Sequence, residues 1–318
     1  MKCLVNAANL HVGGGVQVAA SAISEIAARD DLGASLSFLI SSNVERNLDM
    51  RLFVSASHLG HETMDVRGFD VGNREARRRM DSFDSVFTIF GPLYRWSPPF
   101  RSTVGFAQPW IIYPRNECYN RLSLLQRLKS RLKFWIQGQF FKRAGMLVVE
   151  LDHVKEGLVR ELGIRPERIQ VVRNCLSSLY LDDTLWQPVV MPSADCDFRL
   201  GFLGRNYPHK NTAIFPEIAK ALEAGHGIRA RFYVTFTEEE WMACSPAFRE
   251  VCINVGPLTV AQCPSFYKAL DGVVFPSLLE CFSATPLEAM AMEVHLFATD
   301  RRFNADDCGD YAHYFDPL

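Results

Sequence analysis

Short apolar runs alternate along the chain with longer segments in which apolar residues recur every three or four positions. Lys2 to Ala8 predicts a strand that leads into Val12-Gly13-Gly14-Gly15, and Val16 to Ala28, rich in Ala and Ile, predicts a helix. Leu36 to Ile40 predicts a second strand, and Arg74 to Met80, after a polar stretch, an exposed helix. Asp84 to Phe90, Thr103 to Phe106 and Met146 to Glu150 are further strand candidates. Asp152 to Leu162 predicts a helix, and Ile169 to Val172 closes this half. The rhythm then lapses into Leu-Asp-Asp-Thr, prolines and mixed polar residues before it restarts. Strands are expected at Arg199 to Leu203, Arg231 to Thr235, Val273 to Phe275 and Val294 to Ala298. Helices are expected at Ala213 to Glu223 and Pro286 to Met292, with short elements around Val251 to Val255 and Gln262 to Leu270. Strands alternating with helices imply βαβ units and parallel sheets. The expected fold is α/β, with Rossmann-like domains over 1–180 and 198–318 joined by a linker over 181–197. No helix signal follows the last strand signal before Tyr314-Phe315-Asp316-Pro317-Leu318. The second domain is therefore expected either to be minimal or to have its C-terminal part truncated.

Composition narrows the class. A length of 318 residues suits two domains at about 150 residues each. With 48% hydrophobic and 22% charged residues the chain is an ordinary globular one, which excludes wholesale disorder. The net charge of −2 argues against a nucleic-acid binder. No apolar run is long enough to span a membrane, and Met1-Lys2-Cys3-Leu4-Val5-Asn6 turns polar too soon for a secretory signal. The nine cysteines form no C-x-x-C pair and the eight histidines no H-E-x-x-H. The cysteines read as small buried hydrophobes in a reducing cytoplasm, and a structural metal is not expected.

Five features carry candidate chemistry. Gly13-Gly14-Gly15 stands between a strand and a helix, where backbone amides can meet phosphate or sugar oxygens. It fails the dinucleotide fingerprint, because Val18 occupies the last glycine position, and a tight turn explains it equally well. Gly204-Arg205-Asn206-Tyr207-Pro208-His209-Lys210-Asn211 follows the first strand of the second half, where ligands of open α/β sheets bind. Arg205 and Lys210 there suit a diphosphate, though solvated surface cations are the simpler reading. Glu280 and Glu288 suit sugar and ribose hydroxyls; Glu288 also reads as a first-turn helix acid favoured by the macrodipole. Asp195-Cys196-Asp197 has the D-x-D shape of a metal site but lies in the linker. The stretch from Arg115 to Arg143 carries Arg121, Arg127, Lys129, Arg131, Lys133, Lys142 and Arg143 around Leu122, Leu125, Leu128, Leu132, Trp135 and Ile136. It reads either as an interfacial membrane helix or as a core-facing helix with a basic back.

The second half resembles the family 4 retaining glycosyltransferases of the GT-B fold, whose two domains face a cleft. The likeness rests on Gly201-Phe202-Leu203-Gly204-Arg205 with Pro208-His209-Lys210-Asn211, and on Val274-Phe275-Pro276-Ser277-Leu278-Leu279-Glu280 with Thr285-Pro286-Leu287-Glu288-Ala289-Met290-Ala291, the family's E-x7-E motif. Cys308-Gly309-Asp310 and Tyr314-Phe315-Asp316-Pro317 match its downstream pattern. Gly13–Gly15 and Val171-Val172-Arg173-Asn174 correspond more loosely. The resemblance implies transfer of a mannose-like or related hexose from a nucleotide-diphosphate sugar, with retention, no cofactor and no bound metal. It assigns catalysis to Arg205, Lys210 and Glu280, and donor binding to Gly13, Gly14, Gly15, Asn174, Phe282, Ser283 and Glu288. The chain departs from the family in three places. Cys281-Phe282-Ser283 replaces G-F-G, Glu293-Val294-His295 replaces G-x-P, and Val104 to Trp110 has no counterpart of the family's acceptor-loop histidine.

The leading expectation is an enzyme that acts on a lipid-linked or saccharide acceptor in surface polysaccharide synthesis. It would be cytoplasmic and peripheral on the inner face of the cell membrane, held through 121–143 to anionic lipid. Alternatives are a nucleotide-sugar epimerase on the same fold and a non-catalytic nucleotide-sugar-binding protein.

Overall fold

The computed structural model describes residues 1–27, 29, 36–48, 60–68 and 73–317. They divide into two compact units, one of Met1–Pro114 with Leu125–Arg173, the other of Arg115–Leu124 with Asn174–Leu318.

The first unit is built on a parallel sheet of β1 (Cys3–Ala7), β2 (Leu36–Ile40), β3 (Gly60–Thr63), β4 (Ser85–Thr88), β5 (Arg101–Gly105), β6 (Met146–Val149) and β7 (Ile169–Val171). Their order is β3-β2-β1-β4-β5-β6-β7. Successive residues of a strand point to opposite faces, and both faces here are covered. Val5 and Ala7 pack with Ala19, Ile23, Phe38 and Ile40, while Leu4 and Ala8 pack with Leu39, Ala76, Met80 and Val86. Burial on both faces is why such strands appear in the sequence as mostly apolar runs and not as alternating ones. Helix Gly14–Ala27 follows β1, and the expected end at Ala28 lies outside the described residues.

The second unit repeats the plan with β8 (Phe198–Phe202), β9 (Ala230–Val234), β10 (Cys252–Asn254), β11 (Gly272–Phe275), β12 (His295–Thr299) and β13 (His313–Phe315), all parallel, in the order β10-β9-β8-β11-β12-β13. Leu200, Phe202, Phe232, Val234 and Val274 fill one side; Tyr233, Val273, Phe275, Leu296 and Ala298 fill the other. In both sheets the strand order reverses at the first strand. The crevices at the carboxyl ends of β1/β4 and β8/β11 are therefore topological switch points, where ligands of such sheets bind.

Several expectations are corrected. Residues 181–197 are no detached linker: Trp186, Val189 and Met191 pack on the second core. Gln187 N donates to Ala261 O at 2.8 Å, and Tyr233 OH donates to Pro192 O at 3.0 Å. The first unit ends at Arg173. After β12 the chain does form a helix, Arg302–Cys308, and then β13. All nine cysteines are thiols, but only Cys118, Cys252, Cys281 and Cys308 are buried, and Cys175 is exposed.

Helix Leu124–Phe141 tests the core-facing reading of the basic stretch. At about 100° per residue, Leu124, Leu125, Leu128, Leu132 and Trp135 share one narrow arc, flanked by Arg127 and Arg131 on one side and Lys129 and Lys133 on the other. These five apolar side chains are 56–81% exposed. The opposite face is the buried one, through Gln137, Gly138 and Phe141, with Phe134 stacked on Trp110 at 5.6 Å. The core-facing reading of the stripe is thus overturned.

Helix Ala284–Ala291 ends in a Schellman motif. Glu293 N donates to Met290 O and Val294 N to Ala289 O, each at 3.1 Å. Glu293 holds the left-handed position, φ 57°, where glycine is the usual residue. A non-glycine residue there costs about 1 kcal/mol. Glu293→Gly is expected to raise unfolding free energy by about 1 kcal/mol in urea denaturation; a variant no more stable than the wild type refutes the assignment.

Candidate functional site

The loops that follow β8 and β11 meet at the second unit's switch point. The β8 loop begins at Gly204, whose N–H donates to Thr235 Oγ1 at 3.1 Å. It passes through a 3-10 turn, Pro208–Lys210, to Asn211, which is buried and left-handed at φ 54°. The β11 loop runs from Pro276 to Ser283 and is buried from Ser277 to Cys281. Thr299 Oγ1 donates to Ser277 O at 2.7 Å, tying this loop to the end of β12.

Two contacts stitch the loops together. Leu278 N donates to His209 O at 2.8 Å, and Lys210 Nζ lies 2.7 Å from Glu280 Oε1. Both side chains are largely sheltered, Lys210 at 16% and Glu280 at 10% exposure. The ammonium also stands 5.1 Å from the Phe275 ring centroid, a cation–π contact. At 2.7 Å the ammonium compensates the charge of this buried oxygen. His209 Nε2 is 3.9 Å from the same oxygen. Burial lowers the His209 pKa, against the pull of Glu280.

Arg205 turns to a different carboxylate. Its Nε donates to Glu240 Oε1 at 2.8 Å with the side chain 44% exposed. The same oxygen accepts from Asn206 N at 3.2 Å, and Oε2 accepts from Thr237 N at 3.0 Å in the capping box of helix Glu238–Met242. Burial works against ionisation of Glu240, but Arg205 and these amides outweigh it and hold its carboxyl below the ordinary value. The picture of Arg205 and Lys210 as two loose cations is corrected: each has its own carboxylate. Glu240 was not recognised from the sequence, although Thr237-x-x-Glu240 is a capping-box signature.

Glu288 is not a first-turn acid. It is the fifth residue of helix Ala284–Ala291 and half-buried, and Tyr267 OH donates to its Oε2 at 2.7 Å. Tyr180 hydrogen-bonds to it as well. Burial raises the Glu288 pKa against both tyrosines. Phe282 and Ser283 are half-buried just before this helix, and Ser283 makes no side-chain cap. Neither Cys281 nor Ser283 has positive φ, so the lost glycines are not needed at those positions. Asn174, the first residue of the second unit's long segment, accepts from Cys175 N at 2.9 Å.

Gly13, Gly14 and Gly15 stand on the first unit at the carboxyl end of β1. Gly13 has φ 76°, and a Cβ on Gly13 or Gly14 would meet nothing within 4 Å. Gly13 and Gly14 therefore stand in open space at the helix start, while a Cβ on Gly15 would touch Phe90 at 3.5 Å and Leu10 at 3.7 Å. Asp195 and Asp197 are engaged by one arginine. Arg229 donates to both Asp195 oxygens, at 2.7 and 3.2 Å, and its N–H donates to Asp197 at 2.7 Å.

Residues 197–310, which include Arg205, Lys210, Glu280 and Glu288, match the family model described as Glycosyl transferases group 1. No curated protein matches the chain. Among solved structures, Anabaena HepE in complex with UDP and glucose superposes with a TM-score of 0.66 at 14% identity, over 100% of this chain and 86% of that one. The fold is GT-B. WaaG, a glycosyltransferase involved in lipopolysaccharide biosynthesis, has the same GT-B architecture, with a TM-score of 0.66 at 13% identity over 99% of this chain and 86% of its own. Sucrose-phosphate synthase from Thermosynechococcus elongatus gives 0.64 at 13% identity, over 100% and 86%.

The raised pKa of Glu288 has a stability consequence. An acid whose folded pKa exceeds its unfolded value binds its proton more tightly in the native state, so stability falls as pH rises through that window. Relative to Glu288→Gln, the wild type is expected to lose stability as pH rises from about 4.5, and the difference should level off above the folded pKa. Urea denaturation across pH 4 to 8 checks this; a pH-independent difference contradicts it.

Proposed function

We propose that this chain is a retaining glycosyltransferase that moves a hexose from a nucleotide-diphosphate sugar to a lipid-linked or saccharide acceptor in surface polysaccharide synthesis. The observation that carries the reading is the sheltered Lys210–Glu280 pair at the β8/β11 switch point, within the segment that matches the glycosyl transferases group 1 model. Lys210 has three ammonium protons and Glu280 takes one direction of its charge, which leaves it able to meet a diphosphate. Arg205 spends only Nε on Glu240, so the rest of its guanidinium can meet a second oxygen. As the bond from C1 to the leaving phosphate breaks, negative charge grows on the diphosphate, and cations fixed beforehand stabilise it without reorganising. These two cations supply the charge that a divalent metal would otherwise bring, and the proposal includes no metal step. Glu280 is the acceptor for donor-sugar hydroxyls, and Glu288 for the ribose. Phe282, Ser283 and Asn174 complete the donor side, and the open amides at Gly13–Gly15 suit phosphate oxygens of donor or acceptor. HepE, solved with UDP and glucose, and WaaG, a glycosyltransferase involved in lipopolysaccharide biosynthesis, support this reading.

Titration calorimetry with UDP, GDP, dTDP and ADP tests the donor reading. The tightest of these nucleotides is expected to lose roughly tenfold or more in affinity in Lys210→Ala, since a charge-assisted hydrogen bond is worth about 1.5–3 kcal/mol. EDTA should change nothing. Glu280→Gln should bind the bare nucleotide at least as well as wild type and its sugar conjugate less well. Binding of none of the four, or wild-type affinity in Lys210→Ala, rejects the reading.

The membrane part of the proposal rests on helix Leu124–Phe141. Among the described residues no helix is long and apolar enough to cross a membrane. The exposed leucines and Trp135 between basic flanks suit an in-plane helix on the inner face of the cell membrane. Each near-surface cation adds about 1 kcal/mol toward anionic lipid, an attraction screened over about 8 Å at physiological salt. Sedimentation with phosphatidylglycerol vesicles should show binding that falls with salt, with Lys129→Glu plus Lys133→Glu, and with Leu128→Ser plus Leu132→Ser, at unchanged nucleotide affinity. Absence of wild-type binding, or indifference to all three changes, refutes it.

A further inference from the structure

Residues Arg115–Leu124 belong to the second unit although the chain on either side of them belongs to the first. Their 3-10 turn, Glu117–Arg121, is firmly packed, with Cys118 at 0% and Tyr119 at 4% exposure. It is held from both ends. Glu117 Oε1 accepts from Arg301 Nη2 at 2.8 Å. At the other end Arg121 reaches the β8 loop, where Nη1 donates to Pro208 O at 3.2 Å and Nη2 to Asn211 Oδ1 at 2.5 Å. The turn is also within electrostatic reach of the candidate site. Burial pushes the Cys118 thiol up to about 11, Arg121 pulls it down, and the Glu280 charge adds to the rise.

Asn211 is the next residue after Lys210, and its backbone is left-handed, a conformation that asparagine tolerates better than most residues. Its side chain is grasped on both sides, Oδ1 by Arg121 and Nδ2 by Pro317 O at 3.3 Å. The guanidinium fork spans the Pro208 carbonyl and the Asn211 amide together, thereby fixing both ends of the turn that carries His209 and Lys210. A lysine ammonium has no planar fork to match. The sequence had placed Arg121 among the cations of the membrane stripe. In the structure it precedes the helix and serves the β8 loop.

We propose that Arg121 is a positioning residue for the nucleotide-sugar donor. Acting through Asn211 and the Pro208 carbonyl, it holds the 208–211 turn so that Lys210 stays poised beside Glu280, and it does not touch the donor. This rests on the donor reading of Lys210 and Glu280.

Two readouts test it. Hydrogen exchange of the ligand-free protein follows the amides of Lys210, bonded to Tyr207 O, and Leu278, bonded to His209 O. Arg121→Ala should speed both at least tenfold while the strand amides of β8 and β9 keep their protection. Calorimetry with the tightest of UDP, GDP, dTDP and ADP should show a loss of about five- to tenfold in Arg121→Ala. Arg121→Lys should not rescue it. Asn211→Gly, which tolerates the backbone conformation, should reproduce the loss, and the double variant should be no worse than either single one. In a Lys210→Ala background Arg121→Ala should have no further effect. An equal loss in that background means direct donor contact and overturns the proposal. So does unchanged exchange at Lys210 and Leu278, or exchange that rises throughout the unit, which is a merely structural role. If Lys210→Ala keeps wild-type affinity, the donor reading fails, and the exchange experiment alone decides on Arg121.

Discussion

The ion pair of Lys210 with Glu280 joins two loops that lie 70 residues apart in sequence but leave adjacent strands of one sheet. Each partner depends on the other. A carboxylate sheltered to this degree has lost most of its hydration, and removing the cation beside it would strand an uncompensated charge at a cost of several kcal/mol. The same holds for the ammonium, which has the Phe275 ring beneath it and little water around it. Leu278, Leu279 and Cys281 bury the β11 loop through apolar surface, and Lys210 neutralises Glu280, the one charge that goes in with them. The Leu278 to His209 backbone bond closes the same junction. Such a pair adds little net stability compared with an apolar core, but it fixes where two charges point.

That fixing matters for what the site can do. An isolated basic loop would bind any anion loosely and lose it with salt. Here the two cations are spaced by their carboxylates: Arg205 by Glu240, itself locked into a helix cap, and Lys210 by Glu280. Neither has to be ordered again when a ligand arrives, so the entropy of immobilising a long side chain is spent in folding and not in binding. The arrangement also separates roles. Glu280 Oε1 is buried against the Lys210 ammonium, whereas Glu240 accepts from Arg205 Nε, Asn206 N and Thr237 N and serves as support.

Much of this was legible in the sequence, for a physical reason. β11 is buried at every residue and appears as an unbroken apolar run, while β1 and β2 are interrupted only by Asn6 and Ser37. β3, Gly-His-Glu-Thr, and β13, His-Tyr-Phe, lie at sheet edges, where one side is open and polar residues are tolerated; neither left an apolar signal. Arg205, Lys210, Glu280 and Glu288 were visible in the sequence as residue types after the strand signals of β8 and β11, but their partners were not. Lys210–Glu280, Arg205–Glu240 and Tyr267–Glu288 are pairings across 21 to 70 residues that only the sheet order creates. The left-handed Glu293 was legible only as a departure from glycine.

The basic stretch from Arg115 to Arg143 shows how one compositional signal can hide two structures. Its first part, ending at Arg121, is bound into the second unit, and its cation there serves a turn of the backbone. The rest is a helix of the first unit whose aromatic side meets the protein, through Phe134 and Phe141. An amphipathic helix ordinarily buries its leucines. This one buries the other face and leaves five large apolar side chains exposed, and single exposed leucines are ordinary where a contiguous row is not. The row persists because the helix is anchored from behind by ring stacking and by Gln137, whose Nε2 donates to Tyr94 OH at 3.1 Å. The fold thus supplies enough burial on one face to hold the helix in place without the leucines, and they remain available for a partner of their own.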